Sequence, residues 1–216
     1  MKTRIGTLYR LNLVNLLGET EVNGPVLDIG CFDGLLLSSI NSPFKIGIDK
    51  SFPVNKVNNL IFVCADANFL PFKKEAFSRI YLLDVIEHIE KDFLISDSIN
   101  FVLSKTGKIL LTTPSKEIRL NPFFLTKKIS KKWGHNYRLG YSKDELNNIF
   151  QSNFKLEIIE WNSPYWRFFY LLIRFLNELN SNINSWLISK IGYLDSKNSK
   201  GCHGYFIVKA IKKNEN

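Results

Sequence analysis

The chain has 216 residues, 45% hydrophobic and 23% charged, a balance that suits one globular unit with a sizeable core and excludes disordered and fibrous classes. Its three cysteines, Cys31, Cys64 and Cys202, are far apart and odd in number, so a reducing, cytoplasmic compartment is expected rather than a disulfide framework. The net charge of +9 admits an anionic partner, but a Lys-, Asn- and Ile-rich composition produces the same figure, and net charge speaks only to solubility and non-specific attraction.

Apolar residues recur at helical spacing over residues 5–17, and Gly18 offers a stop, so a leading helix is expected over residues 1–20. This basic N-terminus is interrupted by Arg10, Asn12 and Asn15 and does not read as a secretory signal, and no apolar run is long enough to span a membrane. Residues 25–30 form a short apolar run closed by Gly30, a buried strand feeding a tight turn, and a helix starts at residues 35–40. Strands are expected at residues 44–49, 60–66, 80–86 and 107–114, with helical sequence over 91–104. Residues 115–141 are basic, aromatic and broken by Pro122, Gly134 and Gly140, and read as an irregular excursion. Ser142 and Glu145 make a capping box that opens a helix to residue 151. Residues 154–161 and 204–211 supply two more strands, and strongly apolar helical sequence fills residues 164–194 between them. Near-continuous apolar strands alternating with helices imply an α/β fold whose mostly parallel sheet carries helices on both faces.

Several strand ends carry chemistry. Asp28-Ile29-Gly30-Cys31-Phe32-Asp33-Gly34 is a glycine turn that lets backbone N–H groups approach a ligand at the carboxyl edge of the sheet. Asp49 ends the next strand, where a Rossmann-type domain places the carboxylate that holds a ribose hydroxyl pair. Asp66 ends the following one, where a carboxylate can accept from an adenine amine while the Ala67 N–H donates to the ring. Asp84, Glu87 and His88 close the fourth strand. Any one of these acids is readily explained as a helix cap, but acids on successive strand ends after a glycine-rich first turn point to nucleoside binding. Gly30 and Gly34 are spaced GxxxG, not the GxGxxG that seats a dinucleotide pyrophosphate.

The segments VLDIGCFDG, IGIDKS, CADANFLPF, DVIEHI and GKILLTTPS, in this order, resemble the successive motifs of small class I S-adenosylmethionine-dependent methyltransferases, nearest to the group called methyltransferase type 11. The resemblance covers about residues 22–162. It implies a Rossmann-like fold with a seven-stranded, mostly parallel sheet and a helical insertion before the last strand. Residues 1–216 then form a single domain, with a core at 22–162, an insertion or lid at 163–203 and a last strand at 204–212. It also implies S-adenosyl-L-methionine as cofactor, with Asp28, Gly30, Cys31 and Gly34 around its methionine part, Asp49 on the ribose, Asp66 and Ala67 on the adenine, and Asp84 near the sulfonium. Phe32 stands where the family's turn usually has glycine. The expectation is that the turn accepts an ordinary residue there, with the phenyl ring pointing away.

An acceptor hydroxyl or weakly acidic carbon must lose a proton, a task suited to histidine. His88 and His135 are the candidates, each also readable as a packing or capping residue, while His203 is taken as structural. His135 and Arg138 resemble a His-x-x-Arg segment of the family. No metal-ligand spacing appears. The expected acceptor is a small or lipid-like molecule. An RNA acceptor and a non-catalytic, cofactor-binding subunit are the alternatives, nucleic acid being disfavoured because the strand-four signature of amino-group methylation is absent. The apolar stripe of residues 164–194 either packs as a lid, walls a pocket for a hydrophobic acceptor, or rests on a membrane as a peripheral contact.

Overall fold

The computed structural model describes residues 4–51, 57, 60–135, 137–179 and 182–213, so Asn136 and the end of the expected tail lie outside it. In chain order the elements are α1 (Ile5–Leu16), β1 (Val26–Ile29), α2 (Leu35–Ser39), β2 (Lys45–Asp49), β3 (Ile61–Cys64), β4 (Phe77–Leu83), α3 (Ile95–Val102), β5 (Leu103–Pro114), α4 (Thr126–Lys132), α5 (Lys143–Phe150), β6 (Phe154–Trp161), α6 (Pro164–Leu179), α7 (Asn182–Lys197) and β7 (Tyr205–Lys212). The sheet has seven strands in the order β3-β2-β1-β4-β5-β7-β6. Neighbours from β3 to β5 are parallel, and β7 runs antiparallel to both β5 and β6. The expected mostly parallel seven-stranded sheet is therefore observed.

Strand periodicity sorts the core into two layers. Val26, Tyr81 and Leu110 face α1, α4, α6 and α7 on one side of the sheet. Leu27, Ile80, Leu82, Ile109 and Leu111 face α3 and α5 on the other. Both faces are covered, which is why the parallel strands read as unbroken apolar runs. The capping box forms: Ser142 Oγ accepts from the Glu145 N–H at 3.2 Å and Glu145 Oε2 accepts from the Ser142 N–H at 2.8 Å.

Several expected segments differ from the observed ones, the third strand ending at Cys64 rather than Asp66 and the fifth starting at Leu103 rather than Gly107. The fourth strand runs from Phe77 to Leu83 rather than over residues 80–86, because the chain turns at Asp84 (φ +56°) and Ile86–His88 form a single 3₁₀ turn. The helix expected over residues 91–104 is shorter, since Leu103 already pairs with Phe77 in the sheet. The excursion at residues 115–141 holds helix α4, whose seven residues are too few for periodicity to reveal. It buries Thr126, Ile129 and Ser130 and turns Lys127, Lys128, Lys131 and Lys132 outward.

The two helices before the last strand are tied to the leading helix by one buried carboxylate. Asp195 of α7 accepts from the Tyr165 and Trp166 N–H groups at the start of α6, at 2.9 and 3.1 Å, and from the Tyr9 hydroxyl of α1 at 2.6 Å. It thus satisfies free N–H groups of the first turn of α6, as an N-cap would, from a different helix. The Tyr9 oxygen in turn accepts from Trp161 Nε1 at 2.9 Å, and the Tyr9 ring stacks on Trp166 at 4.3 Å between centroids. This network sets α1 and α6 side by side over the carboxyl end of the sheet.

Candidate active site

The turn after β1 is built on two left-handed glycines, Gly30 (φ +74°) and Gly34 (φ +81°). A Cβ at Gly30 would sit 2.4 Å from Val85 Cγ2 and one at Gly34 would sit 2.7 Å from Phe62 Cζ, so conformation and packing both require glycine. Between them Phe32 takes φ +49°, which corrects the expectation of an ordinary conformation. The reason lies in the turn's hydrogen bonds. The Phe32 N–H donates to Asp49 Oδ2 at 3.1 Å and the Gly34 N–H to the Cys31 carbonyl at 2.9 Å, which fixes the backbone whatever the side chain. A strained residue costs about 1–3 kcal/mol. The Arg4 guanidinium stacks 3.7 Å above the Phe32 ring and offsets part of that cost, so the ring is held by α1's approach and does not point away.

Asp84 occupies the corresponding position after β4. Its Oδ2 accepts from Arg10 Nε of α1 at 2.7 Å and its Oδ1 from the Thr112 hydroxyl of β5 at 2.8 Å. Arg10 is 5% exposed and its guanidinium lies 3.8 Å over the Tyr205 ring. Burial works to discharge Arg10, and Asp84 together with Tyr205 and Tyr9 more than offsets that, so the guanidinium stays charged.

Beyond Asp84 the chain gathers three further groups. His88 Nδ1 lies 3.0 Å from the Gly134 carbonyl oxygen. A carbonyl only accepts, so Nδ1 carries the proton and the neutral ring keeps its lone pair on Nε2. His135 packs edge-on to His88 with ring centroids 4.9 Å apart. Its Nδ1 is 3.0 Å from the Ser130 hydroxyl and its Nε2 faces Glu87 Oε1 at 3.8 Å. Glu87 is 0% exposed, and its other oxygen accepts from the Thr113 hydroxyl at 3.1 Å. Burial, and then Asp84, push the Glu87 carboxyl well above its usual range. Burial, with His88 acting in the same direction, holds His135 down to about 4, so it is neutral at physiological pH.

His88 and His135, with Glu87 buried behind them, open on a cavity of about 470 Å³ at the carboxyl edge of the sheet, inside the usual range for small-molecule sites. Asp28, Gly30, Cys31, Phe32, Asp84, His88 and His135 line it together. Gly34, Asp49, Asp66 and Ala67 are not in its wall. Gly34 closes the turn, Asp49 stands behind Phe32, and Asp66 holds the Asn68 N–H at 2.9 Å in a turn of its own, with Lys50 at 3.8 Å. The opposite wall comes from helices outside those motifs: Arg4 just before α1 and Arg10 within it, Trp133 after α4, and Trp166, Tyr170 and Arg174 of α6. Arg10 carried a signal, a charged residue beside the apolar stripe of Tyr9, Leu13 and Val14. Burial drives the Cys31 thiol up, consistent with a role through its backbone.

The donor set suits the implied cofactor. Asp28 is 3% exposed on the cavity wall, and burial, with Asp49 and Asp33 nearby, pushes its carboxyl well above the usual range. A cation brought against Asp28 would favour its ionised form, so this wall fits a ligand that carries an ammonium.

A family model described as a methyltransferase domain matches residues 1–159. The chain belongs to this family. It therefore carries a methyltransferase domain, on the sheet order described above. No curated protein matches it. Among solved structures, the methyltransferase is similar to phosphoethanolamine N-methyltransferase 2 of Haemonchus contortus in complex with S-adenosyl-L-methionine, with 16% identity and a TM-score of 0.66. That match covers 95% of this chain and 53% of the other, so the chain spans about half that enzyme's length. A methyltransferase of Thermotoga maritima, described as a possible histamine N-methyltransferase, shares 13% identity over 97% of this chain and 91% of its own, with a TM-score of 0.63. The [4+2]-cyclase SpnF is also similar, at 17% identity over 95% and 82% with a TM-score of 0.62. Likenesses this remote report the fold alone.

The depressed His135 ties stability to pH. Below its ordinary value of 6.5 the unfolded chain takes up a proton that folded His135 refuses until about pH 4. The contribution of neutral His135 is therefore complete above pH 6.5 and lost as pH falls from 6.5 towards 4. Urea midpoints of the wild type should drop more steeply from pH 7.5 to 5 than those of His135→Asn; parallel profiles would contradict the burial of a neutral imidazole.

Proposed function

We propose that the methyltransferase carries the methyl group of S-adenosylmethionine to a hydroxyl of a small or lipid-like acceptor, with His88 as the proton acceptor. The observation that carries this reading is the His88 ring, on the cavity wall with Nδ1–H donating to the Gly134 carbonyl and Nε2 left as a base. When bound, the cofactor supplies an electrophilic methyl on an excellent leaving group, so the protein has chiefly to align the reactants and remove a proton. Asp28, Gly30, Cys31 and Gly34 would surround the methionine part, Asp49 the ribose, Asp66 and Ala67 the adenine. Asp84, fixed by Arg10 and Thr112, would stand near the sulfonium. His135 backs His88 from within the wall, its two nitrogens turned to Ser130 and Glu87 rather than to the acceptor.

The acceptor side is aromatic and basic. Trp133, Trp166 and Tyr170 form its surface, Trp133 Nε1 donating to the Tyr170 hydroxyl at 2.6 Å, and Lys132 and Arg174 stand beside them. Such a wall favours an apolar acceptor that carries an anionic group. The outer face of α6 supports the lipid-like form, since Phe168, Leu172 and Phe175 are exposed while Trp166, Tyr170 and Ile173 are buried. The Asn121 N–H donates to the Arg167 carbonyl at 3.1 Å and joins this face to the start of α4, where Phe123, Phe124, Lys127, Lys128 and Lys131 are exposed. Aromatics beside lysines suit peripheral contact with an anionic membrane surface. Among the described residues no helix is long and apolar enough to cross a membrane. The three free cysteines fit a reducing, cytoplasmic setting.

His88→Gln keeps a donor for the Gly134 carbonyl but removes the base. It should lower kcat about 10²- to 10⁴-fold while S-adenosylhomocysteine affinity stays within about twofold. Asp49→Ala should do the converse, weakening cofactor binding by about 1.5–3 kcal/mol through lost ribose bonds. Equal activity in wild type and His88→Gln would dismiss the histidine base, and unchanged affinity in Asp49→Ala would dismiss the ribose assignment.

Co-sedimentation with vesicles rich in anionic phospholipid addresses the membrane contact. Binding is expected at low salt, reduced at high salt and in Phe168→Asp/Phe175→Asp; absence of binding at low salt would rule it out.

A further inference from the structure

The fold also assembles a set of metal-ligand groups away from the cleft. Glu117 lies just after β5, and Cys202 and His203 lie in the turn before β7, 85 residues or more along the chain. Their donor atoms form a small triangle: Cys202 Sγ is 3.1 Å from Glu117 Oε2, His203 Nδ1 is 3.8 Å from the same oxygen, and Sγ and Nδ1 are 3.9 Å apart. A tetrahedral zinc ion with bonds of about 2.3 Å to sulfur and about 2.0–2.1 Å to nitrogen and oxygen sets its ligands roughly 3.3–3.6 Å apart. The observed separations bracket that spacing. A second group, Glu87, His88 and His135, also brings donor atoms together, but it belongs to the site already described and its histidines each have a nitrogen engaged there.

The backbone beneath the triangle is held independently of the side chains. The Arg119 N–H donates to the His203 carbonyl at 3.0 Å and the Ser115 N–H to the Gly204 carbonyl at 2.9 Å. Gly201 turns the chain with φ +127° and its N–H donates to Glu160 Oε2 at 3.2 Å. Within the triangle the thiol S–H donates to the Glu117 carboxylate, and His203 Nδ1 is also 3.3 Å from the Glu117 carbonyl oxygen. A cation would displace the proton on sulfur, and the neutral imidazole would coordinate through Nδ1 with its own proton on Nε2. Glu117 and His203 are 61% and 39% exposed, so an ion can enter and a water can complete its shell.

We propose that Glu117, Cys202 and His203 bind a zinc-like divalent cation, one thiolate, one imidazole and one carboxylate leaving a fourth position to water. Sulfur and nitrogen together select a borderline-soft ion over magnesium or calcium. The ion clamps the segment after β5 to the turn before β7. Three residues before Glu117 stands Pro114, and two after His203 stands Tyr205, both on the cavity wall.

The full chain, stripped with a chelator and titrated with Co(II), tests this. One ion per chain should bind with near-ultraviolet sulfur-to-cobalt absorption and the visible bands of a tetrahedral site, and Zn(II) should displace it. Losing even an outer-shell partner costs about 10- to 100-fold in metal affinity, so Cys202→Ser should abolish the sulfur band and weaken binding at least about a hundredfold. Glu117→Gln should weaken binding with the sulfur band retained, and Cys64→Ser, which removes the exposed thiol elsewhere, should leave the titration unchanged. No sulfur band at millimolar Co(II), or a band that survives Cys202→Ser or vanishes in Cys64→Ser, would overturn the proposal.

Discussion

The Arg10–Asp84 ion pair is the contact on which the cleft depends. Asp84 follows the central strand β4 in a left-handed conformation that a non-glycine residue adopts at a cost, and its carboxylate is shared between Arg10 and Thr112. Arg10 brings the leading helix across the sheet edge and rests its guanidinium on Tyr205 of β7. Three distant parts of the chain, α1, β4 with β5, and β7, therefore meet at one carboxylate. Arg10 is the buried member of the pair, so removing Asp84 would strand its charge, the costly way to break such a contact. The same pair roofs the cavity, so stability and the shape of the site rest on one contact.

Around that carboxylate the cavity divides by chemistry. The edge made by the turn after β1 is acidic, carrying Asp28, Asp33 and Asp49, which suits a cationic nucleoside-like ligand. The wall made by α1, α4 and α6 is aromatic and basic. A methyl donor bearing a sulfonium and an acceptor bearing apolar bulk would each find a matching side, and His88 stands between them. The likeness to a [4+2]-cyclase shows that this scaffold alone does not fix a reaction. The proposed role of His88 in proton removal rests on its place on the cavity wall with Nδ1 turned to the Gly134 carbonyl.

Much of this was legible in the residues because it is local. Apolar runs ending in Gly30, Asp49 and Asp66 mark strand ends on one edge of a parallel sheet, and Ser142 with Glu145 marks a helix start. Long-range pairings were not legible. Glu87 and His135 are 48 positions apart and nothing in either neighbourhood announces the other. Asp195 caps a helix that begins 31 residues before it, and Glu117 meets Cys202 only because β7 returns beside β5. Phe32 failed for a different reason. Its backbone is dictated by the Asp49 carboxylate and the turn's own hydrogen bonds, so residue type was a poor guide to conformation. Helix α4 escaped because two turns of helix carry too few residues to establish a period.

The central claim, that the acidic edge holds S-adenosylmethionine with its sulfur towards His88, is tested most directly by a crystal structure of the full chain with S-adenosylhomocysteine. The account predicts both ribose hydroxyls within hydrogen-bond distance of Asp49, the adenine between Asp66 and Ala67, and the sulfur between Asp84 and His88. A ligand seated elsewhere, or placed at this edge with its sulfur turned away from His88, would contradict it.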